Sequence, residues 1–235
     1  MRGHASAVKL LEWLASVLAH PLEEIAAAAA VSVSDILRDS DILSKAGHSN
    51  MRALYKQRVI MQLLPVVLAS YQDGKWQGQC AAAVAHVLRN APKGALRDQV
   101  SSLLPLLGAA MTQENAEAAA AGAETLRELV EDHSKAIGQH LSELIPALLH
   151  LALKGTISVC LVTLLRTIIN SLQTARISAL NCLSEFTKLP FHLLFPHRNS
   201  VIAQLAQALD DRKRPVRRAA VVCRGKWYML SSAPK

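Results

Sequence analysis

Aromatic side chains are scarce in this sequence: three Phe, three Trp and three Tyr amount to 4% of 235 residues. Strands draw on aromatic and β-branched residues, whereas Ala and Leu favour helices, and the apolar 51% here is mostly Ala, Leu and Val. The scarcity argues against a sheet protein and for an all-α one. It also leaves no row of aromatics on which nucleic-acid bases would stack. Cysteine is sparse too. The four, at 80, 160, 182 and 223, form no CxxC pair, which excludes the usual zinc and thioredoxin-like patterns. Their scatter among apolar neighbours suits reduced thiols in the cytoplasm or nucleus. Long apolar runs are missing as well. The most apolar segment, ISVCLVTLLRTII (157–169), is broken by Arg166 and falls short of the roughly 20 residues that span a bilayer. The first residues carry only short apolar runs, interrupted by Glu12 and His20, so neither a signal peptide nor a membrane span is expected.

Recognisable chemistry is also absent. No phosphate-binding G-x-x-x-x-G-K-[ST], dinucleotide G-x-G-x-x-G or nucleophile-elbow G-x-S-x-G occurs. The nine histidines are scattered. His133 and His140 lie seven apart, but a turn expected around Gly138 argues against a shared metal, and His86 in AAAVAHVLRN reads as a packing residue. Glu114, Glu117, Glu124, Glu128 and Glu131 mostly follow helical spacing on a solvated face. No catalytic residue, metal set or cofactor is assigned, and no enzyme is expected.

What the chain does contain is a repeat. MQLLPVVLASY (61–71), SSLLPLLGAAM (101–111) and SELIPALLHLA (142–152) each place a proline after two aliphatic residues, at Pro65, Pro105 and Pro146. A period of about 40 residues is that of HEAT and armadillo arrays, whose unit is a helical hairpin. GQCAAAVAHVLRNAP (78–92) and NAEAAAAGAETLRELVED (115–132) supply the second helices, their alanines letting neighbouring axes approach closely. Each proline either sits inside its helix, deleting one hydrogen bond and helping to curve the hairpin, or occupies a harmless first turn. The expected fold is an all-α HEAT-repeat α-solenoid, an armadillo-like superhelix, as one array over 1–235. It has irregular first helices at 1–50, repeats at 51–153, an insertion near 154–173 and final repeats at 174–232. Ala206 takes the place of the recurring proline in the last unit, well over one period beyond Pro146, and that excess motivates the insertion.

Charge gathers at the end. Residues 210–235 hold eight Lys/Arg and two Asp, or +6 of the total +8, leaving a nearly neutral body. In PVRRAAVVCRGKWYML (215–230), Val216, Ala220, Cys223, Trp227 and Leu230 form one apolar stripe, with Arg217, Val221, Arg224 and Tyr228 opposite. Asp211 and Arg217 are read as structural, an Asp–Arg pair of the kind that links neighbouring HEAT units, and Trp227 as core. Arg212, Lys213, Arg214, Arg218, Arg224 and Lys226 are the candidates for a partner surface.

Two stretches carry a resemblance: DILSKAGHSNMRALYKQR (41–58) and LPFHLLFPHRNSVIAQLAQALDDRKRPVRRAAVVCRGKWYMLSS (189–232). The second holds L-D-D-x-K-R-x-V-R at Leu209–Arg217 and R-G-x-W at Arg224–Trp227; the first holds Ala46, Gly47 and His48 ahead of Gln57 and Arg58. Together they are similar to the C-terminal part of the MMS-type HEAT-repeat proteins, named for methyl methanesulfonate sensitivity. The stretch around 154–173 and the alanines at 26–30 depart from that pattern. The resemblance implies an adaptor of the cytosolic iron–sulfur protein assembly targeting complex. Its C-terminal repeats would dock a WD-repeat propeller subunit and a small adaptor subunit, so that clusters reach apo-proteins such as DNA helicases, primase and polymerases. It implies a place in cytoplasm and nucleus, with no membrane and no resident cofactor. The competing reading is a HEAT-type nucleic-acid-binding module using the same basic hairpin, although direct nucleic-acid contact is not expected.

Overall fold

The structure, a computed structural model, describes residues 5–18, 20, 60–65, 100–112, 116–154 and 166–230, with isolated positions 25, 28, 29 and 32. The matching segment 41–58, the helix expected at 78–92 and residues 155–165 of the expected insertion lie outside the described residues. Among the described residues there is no strand. The chain divides into two compact units, Met1–Gln99 and Val100–Lys235. In the first, α1 (Ala5–Leu18) buries Leu14 and exposes Leu10 and Trp13. Residues 60–65 are helical, with Ile60, Leu63 and Leu64 buried and Pro65 exposed.

Among the described residues the second unit is a stack of three helical hairpins. Its helices are α2 (Val100–Thr112), α3 (Ala116–Asp132), the short α4 (Ser134–Gln139), α5 (Leu141–Leu153), α6 (Arg166–Phe186), α7 (Phe191–Leu209) and α8 (Arg214–Tyr228). Within hairpins, α2 packs on α3, α5 on α6 and α7 on α8. Between hairpins, α2 packs on α5 and α5 on α7, while α3 packs on α6 and α6 on α8. First helices thus form one layer and second helices the other, which is the arrangement of a HEAT-repeat α-solenoid. His133 and His140 flank α4, and the turn expected at Gly138 is helical instead, the chain turning at His140.

Proline sets the register of the first layer. Pro105, Pro146 and Pro196 are each the sixth residue of their helix, so none sits in a first turn. Each removes one i→i−4 bond. The residues four before them, Ser101, Ser142 and His192, are exposed, so the carbonyls left over sit at solvent-facing positions. The expectation that Ala206 takes the place of the recurring proline in the last unit is corrected. Pro196 fills it, nearer to Pro146, because α7 begins at Phe191 and so takes in Pro196 as its sixth residue. Counted from each proline, Leu103, Leu144 and Leu194 are equivalent, as are Ala110, Leu151 and Val201, and Met111, Ala152 and Ile202; all nine are buried.

The second layer is held by small residues and polar cross-links. Ala118, Ala119, Ala121 and Ala123 of α3 are wholly buried. A side-chain carbon on Gly122 would lie in van der Waals contact with Met111 Cγ at 3.5 Å and the Leu107 carbonyl oxygen at 3.6 Å, so α2 and α3 approach closely here. Ser178 of α6 donates to Glu124 of α3 at 3.1 Å. Lys188, after α6, donates to Glu131 of α3 and pairs with Glu185, both at 2.6 Å, and Lys226 of α8 lies 3.7 Å from Glu185. These hydrogen bonds, that to Glu131 first, push the Lys188 ammonium up to about 12. Glu124 and Glu131, read from sequence as merely solvated, therefore tie hairpin to hairpin.

Candidate docking site at the terminal hairpin

The α7–α8 turn is anchored by a buried ion pair. Asp211, only 2% exposed, accepts a hydrogen bond on its carboxylate from Arg176 of α6, itself buried. The other carboxylate oxygen accepts from the Lys213 backbone N–H at 2.7 Å, an Asx turn that leads the chain into α8. Burying both charges is tolerable because each finds its partner. Arg217 takes a different route from the expected Asp–Arg pair. It donates to the backbone carbonyls of Asp211 at 2.7 Å and Arg212 at 3.2 Å, and the carboxylate goes to Arg176 of the preceding hairpin.

Trp227 closes the inner face. It is fully buried, with Val216, Ala220 and Cys223 on the same stripe, and its indole N–H donates to the Leu183 carbonyl at 2.9 Å. A helix leaves its last four carbonyls without helical donors. At the end of α6 all four are met: Leu183 by Trp227, Ser184 by the Thr187 hydroxyl, Glu185 by the Lys188 amide and Phe186 by the Leu189 amide. The end of α8 is served from α7. Arg198 donates to the carbonyls of Trp227 at 3.2 Å and Tyr228 at 2.9 Å. Arg198 stands in the register position held by Leu107 in α2 and Leu148 in α5. Cys182 and Cys223 are free and buried. Burial raises the Cys182 thiol well above its usual range, and lifts Cys223 to about 11 against the opposing hydrogen bond from Ser184 and the charge of Lys226.

The outward side divides the six candidate cations. Arg224 is half-buried and committed internally: it donates to the Ile202 carbonyl at 3.1 Å and the Tyr228 hydroxyl at 3.1 Å, with its guanidinium 5.0 Å from the Tyr228 ring centre. Lys226 is exposed but faces Glu185. Lys213 is half-buried at the N-cap of α8. Arg212, Arg214 and Arg218 are exposed and, among the described residues, form no ion pair. The position of Arg212 and Arg214 is electrostatically unhelpful to the fold. The N-terminal turn of α8 contains no acid, and cations there oppose the helix dipole.

Beside these arginines the expected outer stripe of Arg217, Val221, Arg224 and Tyr228 shifts around the helix. Arg217 and Arg224 turn toward α7 and the turn, and the exposed face instead carries Arg218, Val221, Val222, Gly225 and Met229. Val221 is 60% exposed, Val222 53% and Met229 79%. Sequence reading missed Val222, Gly225 and Met229, together with the anchors Arg176 and Arg198. Among the described residues no cluster of His, Cys, Asp or Glu is arranged to hold a metal, and no helix is long and apolar enough to cross a membrane.

A two-layer stack of helical hairpins, cross-linked through its second layer and carrying a cationic and apolar face on α8, defines a HEAT-repeat solenoid. The family profile described as RNAPII transcription regulator C-terminal matches residues 1–187. Curated relatives align over nearly the whole chain, terminal hairpin included. The MMS19 nucleotide excision repair protein homolog of Xenopus laevis is 30% identical over 98% of this chain and 23% of its own length. The human homolog is 30% identical over 99% of this chain and 21% of its own. That of Dictyostelium discoideum is 26% identical over 97% of this chain and 20% of its own. The chain belongs to the MMS19 family and corresponds to its C-terminal region, spanning between a fifth and a quarter of the length of these relatives.

Proposed function

We propose that this chain is a non-catalytic adaptor segment of the cytosolic iron–sulfur protein assembly targeting complex. Its terminal repeats dock the WD-repeat propeller subunit and the small adaptor subunit, in cytoplasm and nucleus. Clusters then pass to apo-proteins that include DNA helicases and polymerases. That reading is in keeping with the relatives' description as nucleotide excision repair proteins. The observation that carries it is the outer side of the last hairpin. Among the described residues Arg212, Arg214 and Arg218 have no acidic partner there, beside exposed Val221, Val222 and Met229 on a helix whose inner face is fully engaged. A scaffold uses its binding surface in this way, with charge steering the encounter and apolar contact holding it.

The competing nucleic-acid module rests on the same three arginines, which would neutralise phosphates. Apolar side chains between them and the helix end give it no support, and Tyr228 is occupied by Arg224 instead of being open to a base. Pull-down of the purified targeting subunits separates the readings. The intact chain retains them. Truncation before Asp211, or charge reversal at Arg212, Arg214 and Arg218, weakens retention. Retention of neither subunit by the intact chain overturns the adaptor reading. Tight, steeply salt-dependent binding of unrelated duplexes replaces it with the nucleic-acid one.

A further inference from the structure

Resting on the adaptor reading, we infer that the outer face of α8 receives an acidic amphipathic helix of a partner protein, which adds to the second layer as the next helix in sequence would. Three observations converge. First, in that layer α3 is covered by α6 and α6 by α8, while among the described residues nothing covers the outer face of α8. Second, the face is ordered along its length. Arg214, Arg218, Val221, Val222, Gly225 and Met229 recur at steps of three and four, so they share one side of the helix. Cations occupy its N-terminal end and apolar groups the remainder, over about 22 Å at 1.5 Å per residue, which is the length of a four-turn helix.

Third, Gly225 lies in the middle of that face with no reason among the described residues. A side-chain carbon added there meets nothing within 4 Å. Glycine in an exposed helix interior is disfavoured relative to alanine. Gly122 of α3, by contrast, faces α2, where an added carbon would be in contact with Met111 and Leu107. At Gly225 the missing side chain benefits a second backbone only when that backbone comes from outside, as close helix packing over small residues requires.

Charge selects the occupant. The sequence of α8, RPVRRAAVVCRGKWY, contains no acid, so a second copy laid on the same face would oppose cation to cation or cation to apolar group. A helix with carboxylates at one end and aliphatic residues along its middle complements the face at every level. A nucleic-acid backbone would satisfy Arg214 and Arg218 but leave Val221, Val222 and Met229 in contact with a polyanion.

The test uses the full chain with a photo-crosslinking residue in place of Val222 or Met229, mixed with the purified WD-repeat subunit, the small adaptor subunit, or a duplex oligonucleotide. Crosslinks are mapped by mass spectrometry. Gly225→Ala and Gly225→Leu are measured in parallel for affinity and for thermal stability. The expected result is a crosslink to a helix bearing Asp or Glu within a turn of the attachment point. Gly225→Leu is expected to lower affinity by about tenfold or more. Gly225→Leu, like Gly225→Ala, melts no lower than the parent, so misfolding does not explain the loss. Binding of a subunit with no crosslink from either position, or with crosslinks to strands or loops only, overturns the helix-docking inference and leaves the adaptor reading standing. Undiminished affinity of Gly225→Leu overturns it as well. Crosslinking to the duplex alone, or no binding of either subunit, overturns both.

Discussion

Replacing Trp227 by Phe isolates the contact that fastens the last hairpin to its neighbour. The indole is fully buried and its N–H donates to the Leu183 carbonyl at 2.9 Å, at the C-terminal end of α6. Phe keeps most of the apolar contact and removes two things. One is volume: the smaller ring leaves a void of about 40 Å³, and at about 24 cal/mol per Å³ this costs about 1 kcal/mol. The other is the donor, since a buried carbonyl without a partner costs about 1–3 kcal/mol. The expected loss is therefore about 2–4 kcal/mol, most of it from the hydrogen bond rather than the ring. Urea unfolding followed by far-ultraviolet circular dichroism measures it, read on the transition of the 100–235 unit. Trp13→Phe, on an exposed site of α1, is the control and stays within about 0.5 kcal/mol. A Trp227→Phe loss no larger than the control's refutes the reasoning. It would mean that the indole neither fills a tight site nor completes the end of α6.

Asp211→Ala leaves Arg176 buried without its counter-ion and is expected to lower stability by about 3–5 kcal/mol, while Asp211→Asn, which keeps an acceptor for the Lys213 amide, loses less. Denaturant midpoints of the two variants check the order. Arg198→Ala removes the two donors at the end of α8 and is expected to lose about 1–3 kcal/mol, with hydrogen exchange quickening first in the last turn of that helix. The Cys223 thiol, held by burial at about 11, makes the folded state prefer the protonated form relative to the unfolded chain. Its contribution is whole below the ordinary thiol range and fades as pH rises from 9.0 toward about 11. The stability difference between the parent and Cys223→Ala, followed by unfolding across that window, shrinks by about 1.4 kcal/mol per pH unit. In the same protein, iodoacetamide at neutral pH labels Cys182 and Cys223 only after unfolding.

How much of this was legible without coordinates depends on the range of the contact. Helices, layers and the buried stripe of α8 follow from local pattern. LLP at Pro105 returns as LIP at Pro146, and Val216, Ala220, Cys223 and Trp227 recur at helical steps, so each side chain's fate is set by its own neighbours in sequence. The third proline was misplaced for a physical reason. Phe191–Pro196 lies ahead of the stretch whose apolar spacing marks a helix, and burial of Leu194 in the stack, a tertiary effect, makes it the first turns of α7. The ion pair was half legible. Asp211 is conspicuous in the turn, but its partner Arg176 belongs to the preceding hairpin, and nothing in the local sequence favours it over the nearer Arg217. Arg198 left one trace, a cation where the first-layer register calls for leucine. The candidate surface was legible as composition and misread as geometry. Counting charge cannot tell Arg224, which folds back on Ile202 and Tyr228, from Arg218, which faces solvent.

If the cations that the fold leaves unused on the last hairpin serve to meet a partner, reversing them must weaken that partner's binding and spare the fold. Titration calorimetry of the purified chain against the WD-repeat and small adaptor subunits, comparing the parent with Arg214→Glu/Arg218→Glu at two salt concentrations, tests this most directly. The predicted result is an affinity lowered by about tenfold or more at low salt, with a flattened salt dependence and an unfolding midpoint no lower than the parent's. Equal affinity and an equal salt slope for the two proteins would contradict it.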